Sequence, residues 1–154
     1  MHDFSGKTAF VTGGASGIGL AMVEAFLDQG MNVALADIEA SARDRAVAGL
    51  ARFGDRIRGV ACDVADRASV VAARDAAIAA FGPIHVLCNN AGVGTGGRID
   101  TVPPPAWEWL MGVNLMGVIH GLSELHRLTG SGQARQQRRA SSMSSQRQGL
   151  RASC

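Results

Sequence analysis

The residues with chemical potential form an ordered series. They are the run Thr12-Gly13-Gly14-Ala15-Ser16-Gly17-Ile18-Gly19, Asp37, the pair Asp63-Val64, the turn Asn89-Asn90-Ala91-Gly92, and Asn114. None is an activated nucleophile, and no cysteine or histidine cluster has the spacing of a metal site, so no metal is expected. What the series could do is bind. A glycine-rich turn between strand and helix lets backbone approach a pyrophosphate, and the phosphates would sit over N–H groups at the positive helix end. Gly13, Gly17 and Gly19 have separable jobs of this kind: turning, close approach and helix-on-strand packing. A glycine-rich strand-to-helix turn with no ligand would use the same residues, so the run alone does not decide.

Asp37 lies eighteen residues beyond Gly19. That is close to the ~20 at which an acid meets the ribose hydroxyls of a bound adenosine. A plain strand-end or helix-capping aspartate is the competing reading. Asn89 to Gly92 could equally be a simple Asn-Gly turn, and Asn114 a satisfied amide inside an apolar helix.

These residues need elements to position them. Thr8 to Val11 is a short β-branched, apolar run, which predicts a buried strand, and a helical pattern follows from Ile18 through Met22, Val23, Phe26 and Leu27. Met31 to Ala36 reads as a second strand ending at Asp37, and Glu39 to Phe53 as a helix stopped by Gly54. Ile57 to Cys62 is a third strand ending at Asp63, Asp66 to Phe81 a helix, and Ile84 to Cys88 a fourth strand before Asn89. Alternation of this kind predicts right-handed crossovers and a parallel sheet in order 3-2-1-4, covered on both faces. Val93 to Pro104 is a loop rich in glycine and proline. Pro105 then opens the longest helix, to about Leu128, apolar nearly all round, so a partner beyond the sheet is expected.

From Thr129 to Cys154 the pattern stops. The stretch holds arginine, glutamine, serine and small residues with no aromatic, too little apolar surface to offset ~1–2 kcal/mol of backbone entropy per ordered residue. It is read as a disordered basic tail, separate from a domain at 1–128. Charge divides the same way. Residues 1–126 carry nine bases against thirteen acids, a net of −4, and the remainder carries six arginines and no acid, which restores +2. A nucleic-acid role for the tail is disfavoured because no aromatic is interleaved with its arginines. No run approaches the ~20 apolar residues of a membrane span. The polar start MHDFSGK lacks a signal-peptide core, which predicts a cytoplasmic protein. Cys62, Cys88 and Cys154 are odd in number and look like small core residues rather than a disulfide framework.

Taken jointly and in order, these motifs resemble those of the short-chain dehydrogenase/reductase family over about residues 4–126. Thr12 to Gly19 matches its TGxxxGxG turn, Asp37 its acid after the second strand, and Asp63-Val64 its adenine-site pair. Asn89-Asn90-Ala91-Gly92 matches its NNAG motif, and Asn114 within Val113-Asn114-Leu115 its catalytic asparagine. The resemblance implies a Rossmann-like, doubly wound α/β sheet and hydride transfer between a nicotinamide cofactor and a small alcohol or carbonyl substrate. It implies cofactor contacts from Gly13, Ser16, Gly17, Ile18, Gly19, Asp37, Asp63, Val64, Asn90, Ala91 and Gly92. Asp63 would accept from the adenine amino group while the Val64 N–H donates to the ring. No arginine or lysine stands at Ser16 or Ile38, where NADP-preferring relatives often place one, so NAD is expected over NADP.

One departure matters. The family's proton transfer uses a YxxxK segment, whereas these 154 residues contain no tyrosine and Lys7 is the only lysine. The sequence therefore predicts the cofactor half of such a fold, truncated after about four strands. It is expected to bind a dinucleotide without turning it over, or alternatively to serve as a non-catalytic oligomerising or interaction fragment, since the resemblance implies that the helix at 105–128 packs against a symmetry mate.

Overall fold

The structure, a computed structural model, describes residues 4–125. The stretch read as a basic tail, the end of the last helix, His126 and Cys154 lie outside the described residues.

Four parallel strands form one sheet in order 3-2-1-4. They are β1 (Thr8–Thr12), β2 (Asn32–Asp37), β3 (Ile57–Ala61) and β4 (Val86–Cys88). Thr12 is level with Ala36, Asp37 with Ala61, and Val11 with Cys88, so the strands end together at their carboxyl side. The order reverses between β1 and β4, and a doubly wound sheet opens its crevice at such a point. Side chains alternate between two cores. Ala9, Val11, Val33 and Leu35 face α1 (Gly17–Asp28) and α2 (Ala40–Gly49). Phe10, Ala34, Ala36 and Val60 face α3 (Arg67–Phe81) and the last helical segment. Every residue of β1 is buried, as expected for a central parallel strand covered on both sides.

Three elements differ from the sequence reading. The second helix ends at Gly49, and Ala51–Arg56 form 3₁₀ turns rather than its continuation. Gly49 is a weak helix former, and Leu50, fully buried against the sheet, anchors the chain there. β4 is shorter than Ile84–Cys88 because the His85 ring enters the ladder: its Nδ1 accepts the Thr8 N–H at 3.0 Å. Ile84 remains completely buried. The long helix begins one residue early and is not regular. It comprises α4 (Pro104–Met111), a π-helical turn (Gly112–Met116) and α5 (Gly117–Leu125). Its apolar character is split. Val113, Gly117, Gly121 and Leu125 are buried, whereas Trp107, Met111, Leu115, Ile119 and Leu122 are exposed.

A carboxylate fastens α5 to α3. Glu124 Oε1 accepts from Arg67 Nε and Nη2 at 2.8 and 2.6 Å, and its Oε2 accepts from Arg74 Nη1 at 3.1 Å. Only 12% of the Glu124 side chain is exposed, so this network is less screened than an ordinary surface pair. Glu124→Ala should lower stability by about 1–2 kcal/mol in urea denaturation, the range for breaking a partly buried charged network. An unchanged midpoint would show that the clamp is ornamental.

Candidate functional site

The carboxyl ends of the strands converge on a groove of about 450 Å³, within the range of small-molecule sites. Its floor is the turn between β1 and α1. Gly17 has φ +52°, the left-handed region in which a side chain is strained. Gly19 sits so tightly that a Cβ would collide with the Gly13 carbonyl oxygen and approach Asn90 Nδ2 to 2.5 Å. The first bond reaching back from α1 runs from Leu20 N–H to the Ser16 carbonyl. The N–H groups of Gly17, Ile18 and Gly19 therefore have no acceptor among the described residues. They give the groove a row of donors at the positive end of a 12-residue helix.

Thr12 and Asn90 lock this floor to the wall beyond β4. The buried Thr12 Oγ1 accepts the Asn90 and Ala91 N–H groups, each at 3.0 Å, and donates to the Cys88 carbonyl at 3.3 Å. The Asn90 amide donates in return to the carbonyls of Thr12 (3.0 Å) and Gly13 (3.2 Å). Asn90 thus lines the groove, but its side-chain donors are turned into the protein. Its local effect is to hold Ala91 and Gly92 at the rim. Thr12 is a hub that the motif reading treats only as the first letter of a glycine run; a threonine ending a fully buried strand is the signal that marks it.

Asp37 bridges two segments. Its Oδ2 accepts the Ala15 N–H at 3.0 Å and its Oδ1 the Glu39 N–H at 3.1 Å. Each oxygen keeps a further lone pair for a ligand hydroxyl. Arg43 binds the Asp37 backbone carbonyl, not its carboxylate, so no guanidinium among the described residues neutralises the acid.

The opposite bank is the loop Asp63–Ala65. Asp63 Oδ1 accepts the Ala65 N–H at 2.9 Å, and the Asp63 N–H donates to Ser69 Oγ at 2.9 Å. Asp63 Oδ2 and the Val64 N–H have no hydrogen-bond partner among the described residues. An acceptor and a donor thus stand on adjacent residues at the groove edge. Asp66, expected as a helix cap, accepts the Ala68 N–H and caps α3. Beneath the loop, burial and the neighbouring Asp63 and Asp37 push the Cys62 thiol up to about 11, so it stays protonated and inert at neutral pH. Burial raises Cys88 as well.

Asn114 lies in the π-helical turn and is exposed rather than buried. Both ends of its amide pair with one backbone unit: Oδ1 accepts the Val93 N–H at 2.9 Å, and Nδ2 donates to the Val93 carbonyl at 2.8 Å. It borders the groove through Val93 but does not line it. Gly13, Ser16, Gly17, Ile18, Gly19, Asp37, Asp63, Val64, Asn90, Ala91 and Gly92 all do. Ile38, Cys62, Ala65, Val93, Trp109 and Val113 complete the lining. Trp109 escaped the sequence reading, because helical periodicity marks an apolar residue without saying which way it turns. No cluster of three or more metal-ligating side chains occurs among the described residues, and no helix there is long and apolar enough to cross a membrane.

Comparison with known proteins agrees with this geometry. Residues 7–141 match the family model for short chain dehydrogenases, so the likeness runs past residue 126, where the recognisable motifs stop. The chain is 39% identical over 123 residues to a C alpha-dehydrogenase of Sphingobium sp. (strain NBRC 103272 / SYK-6), covering 79% of this chain and 40% of that relative. It is 44% identical over 112 residues to a D-threitol dehydrogenase of Mycolicibacterium smegmatis, covering 73% and 43%. Among solved structures, a short chain dehydrogenase/reductase from Burkholderia phymatum in complex with NAD superposes with a TM-score of 0.79 at 43% identity, covering 83% of this chain and 46% of that one. The chain thus spans less than half the length of these relatives. With the four-stranded sheet in order 3-2-1-4, the glycine turn at its switch point and a family match across most of its length, the chain belongs to the short-chain dehydrogenase family.

Proposed function

We propose that the groove binds a nicotinamide dinucleotide, NAD in preference to NADP, as the cofactor part of an oxidoreductase acting on a small alcohol or carbonyl compound. One observation carries this reading: eleven residues from four separate segments, expected from their motifs alone, line one groove. The Burkholderia relative's complex with NAD supports the same ligand class here.

The assignment of parts follows from the chemistry of each wall. The donors of Gly17, Ile18 and Gly19 suit a pyrophosphate. The Asp37 carboxylate suits two ribose hydroxyls, and the Val64 N–H beside Asp63 Oδ2 suits the ring nitrogen and amino group of adenine. Ala91, held by Thr12, and the Gly92 that follows it leave room for the nicotinamide ribose. When bound, the nicotinamide ring supplies the hydride acceptor or donor. Asn114 keeps the Val93 segment at the end of the groove where that ring would lie. The exposed apolar face of α4 and α5 fits packing against further protein, a second copy being the simplest partner.

Preference for NAD rests on Asp37, because a 2′-phosphate in its place would meet a carboxylate that carries no cation among the described residues. In calorimetric titration NAD should bind more tightly than NADP. Asp37→Ala should weaken NAD by about 1.5–3 kcal/mol, the worth of a charge-assisted hydrogen bond, and narrow the gap between the two cofactors. The ratio is the informative quantity, since loss of the Ala15 bond weakens both ligands. Equal affinities in the unmodified chain would overturn the preference.

A further inference from the structure

The reading of the groove leaves one polar side chain without a role. His120 projects from α5 toward the Asp63–Ala65 loop, and its Nδ1 lies 2.9 Å from the Val64 carbonyl oxygen. A carbonyl can only accept, so the ring must carry its proton on Nδ1. Three residues earlier, Gly117 leaves space that Val64 fills: a Cβ there would stand 2.8 Å from Val64 Cγ2. One turn later Glu124 grips Arg67 and Arg74 of α3. Gly117, His120 and Glu124 recur at helical spacing, so one stripe of α5 supports the loop and the helix that follows it. On the groove side, Asp63 Oδ2 and the Val64 N–H have no partner among the described residues. The loop is thus held by its back and open at its front.

We propose that His120 is a positioning residue for adenine recognition. By holding the Val64 carbonyl, the imidazole fixes the backbone of Val64, so its N–H and the neighbouring Asp63 Oδ2 stay side by side at the groove edge. This rests on the dinucleotide reading above. It adds that affinity for the adenosine half is set in part from α5, by a residue that touches no ligand.

The test uses the whole 154-residue chain with ADP-ribose as probe, by calorimetry. Replacing His120 with leucine should weaken ADP-ribose about three- to tenfold, the loss of one hydrogen bond. Replacement with asparagine should restore most of that affinity, because its Nδ2 reaches the place of the imidazole Nδ1. Glutamine, whose amide extends one bond farther, should not restore it. A merely structural role gives the opposite order, since glutamine is the better helix former. Nitrogen chemical shifts of the histidine ring should also report protonation at Nδ1 in the unmodified protein. Wild-type binding that His120→Leu leaves unchanged, or rescue by glutamine rather than asparagine, would overturn the proposal. Absence of any ADP-ribose binding by the unmodified chain would instead overturn the reading of the groove, and the positioning role with it.

Discussion

Gly19→Ala is expected to abolish dinucleotide binding and to lower stability by about 3 kcal/mol or more, the upper part of the range for overpacking. The added methyl would overlap the Gly13 carbonyl oxygen and crowd Asn90 Nδ2. Neither neighbour can withdraw. The Gly13 carbonyl is tied to the Asn90 amide, which is also tied to Thr12, and Thr12 in turn holds Asn90 and Ala91. Relief of one contact therefore displaces the glycine turn and the far wall together. Gly17→Ala supplies the contrast. Nothing lies within 4 Å of its Cβ position, and the cost is confined to a positive φ, about 1–2 kcal/mol. Urea denaturation of both variants, with NAD titration of whichever fold, separates collision from backbone strain. A Gly19→Ala protein as stable as wild type would mean that helix α1 does not approach β1 as described.

The second large effect concerns turnover. The purified 154-residue chain should bind NADH yet oxidise it with aldehydes or ketones at least ~10²–10⁴-fold below an ordinary dehydrogenase, the contribution of general acid–base catalysis. No tyrosine is present, and Lys7 precedes β1 at the end opposite the glycine turn, five strand residues away, or roughly 17 Å. The imidazoles among the described residues and the Asn114 amide are otherwise committed. His120 is bonded to Val64, and both ends of the Asn114 amide are bonded to Val93. His85 accepts from Thr8, at the start of β1 rather than at its end. A stopped-flow or absorbance assay of NADH against a carbonyl panel reads the outcome. Robust turnover that Asn114→Ala abolishes would show a complete proton path within these residues.

Much of this was legible in the chain because each signal was both local and physical. Buried parallel strands appear as short apolar runs, and a tight strand-to-helix turn needs glycines at positions that only glycine tolerates, so strands and the glycine turn followed from residue type and spacing, while the rest of the groove lining followed from the family resemblance. Other features depended on what a side chain meets across the fold. Nothing in the sequence says that the His85 ring takes the Thr8 N–H and shortens β4, or that the Asn90 amide points inward to the turn. Asn114 interrupts an apolar run visibly enough, but a polar residue in a helix does not announce a π turn or exposure. The exposure of Ile119 and Leu122 beside buried Gly121 inverts the hydropathy rule, because the glycine makes room for Asn89.

The π-helical turn at Gly112–Met116 has a further consequence for how this stretch can vary. A π turn holds one residue more than the α-helical turn it replaces, which resets the angular phase of everything after it. Upstream of it Trp109 faces the groove, within it Val113 lines the groove, and downstream Gly117, His120 and Glu124 face α3 and its leading loop. A one-residue deletion at Leu115 or Met116 would let the turn close as an ordinary α-helical one with both flanks in their present phase, whereas the same deletion within α5 would turn everything beyond it by about 100°. Sequence length can thus shorten by one residue at the π turn while it stays fixed in the α-helical segments on either side.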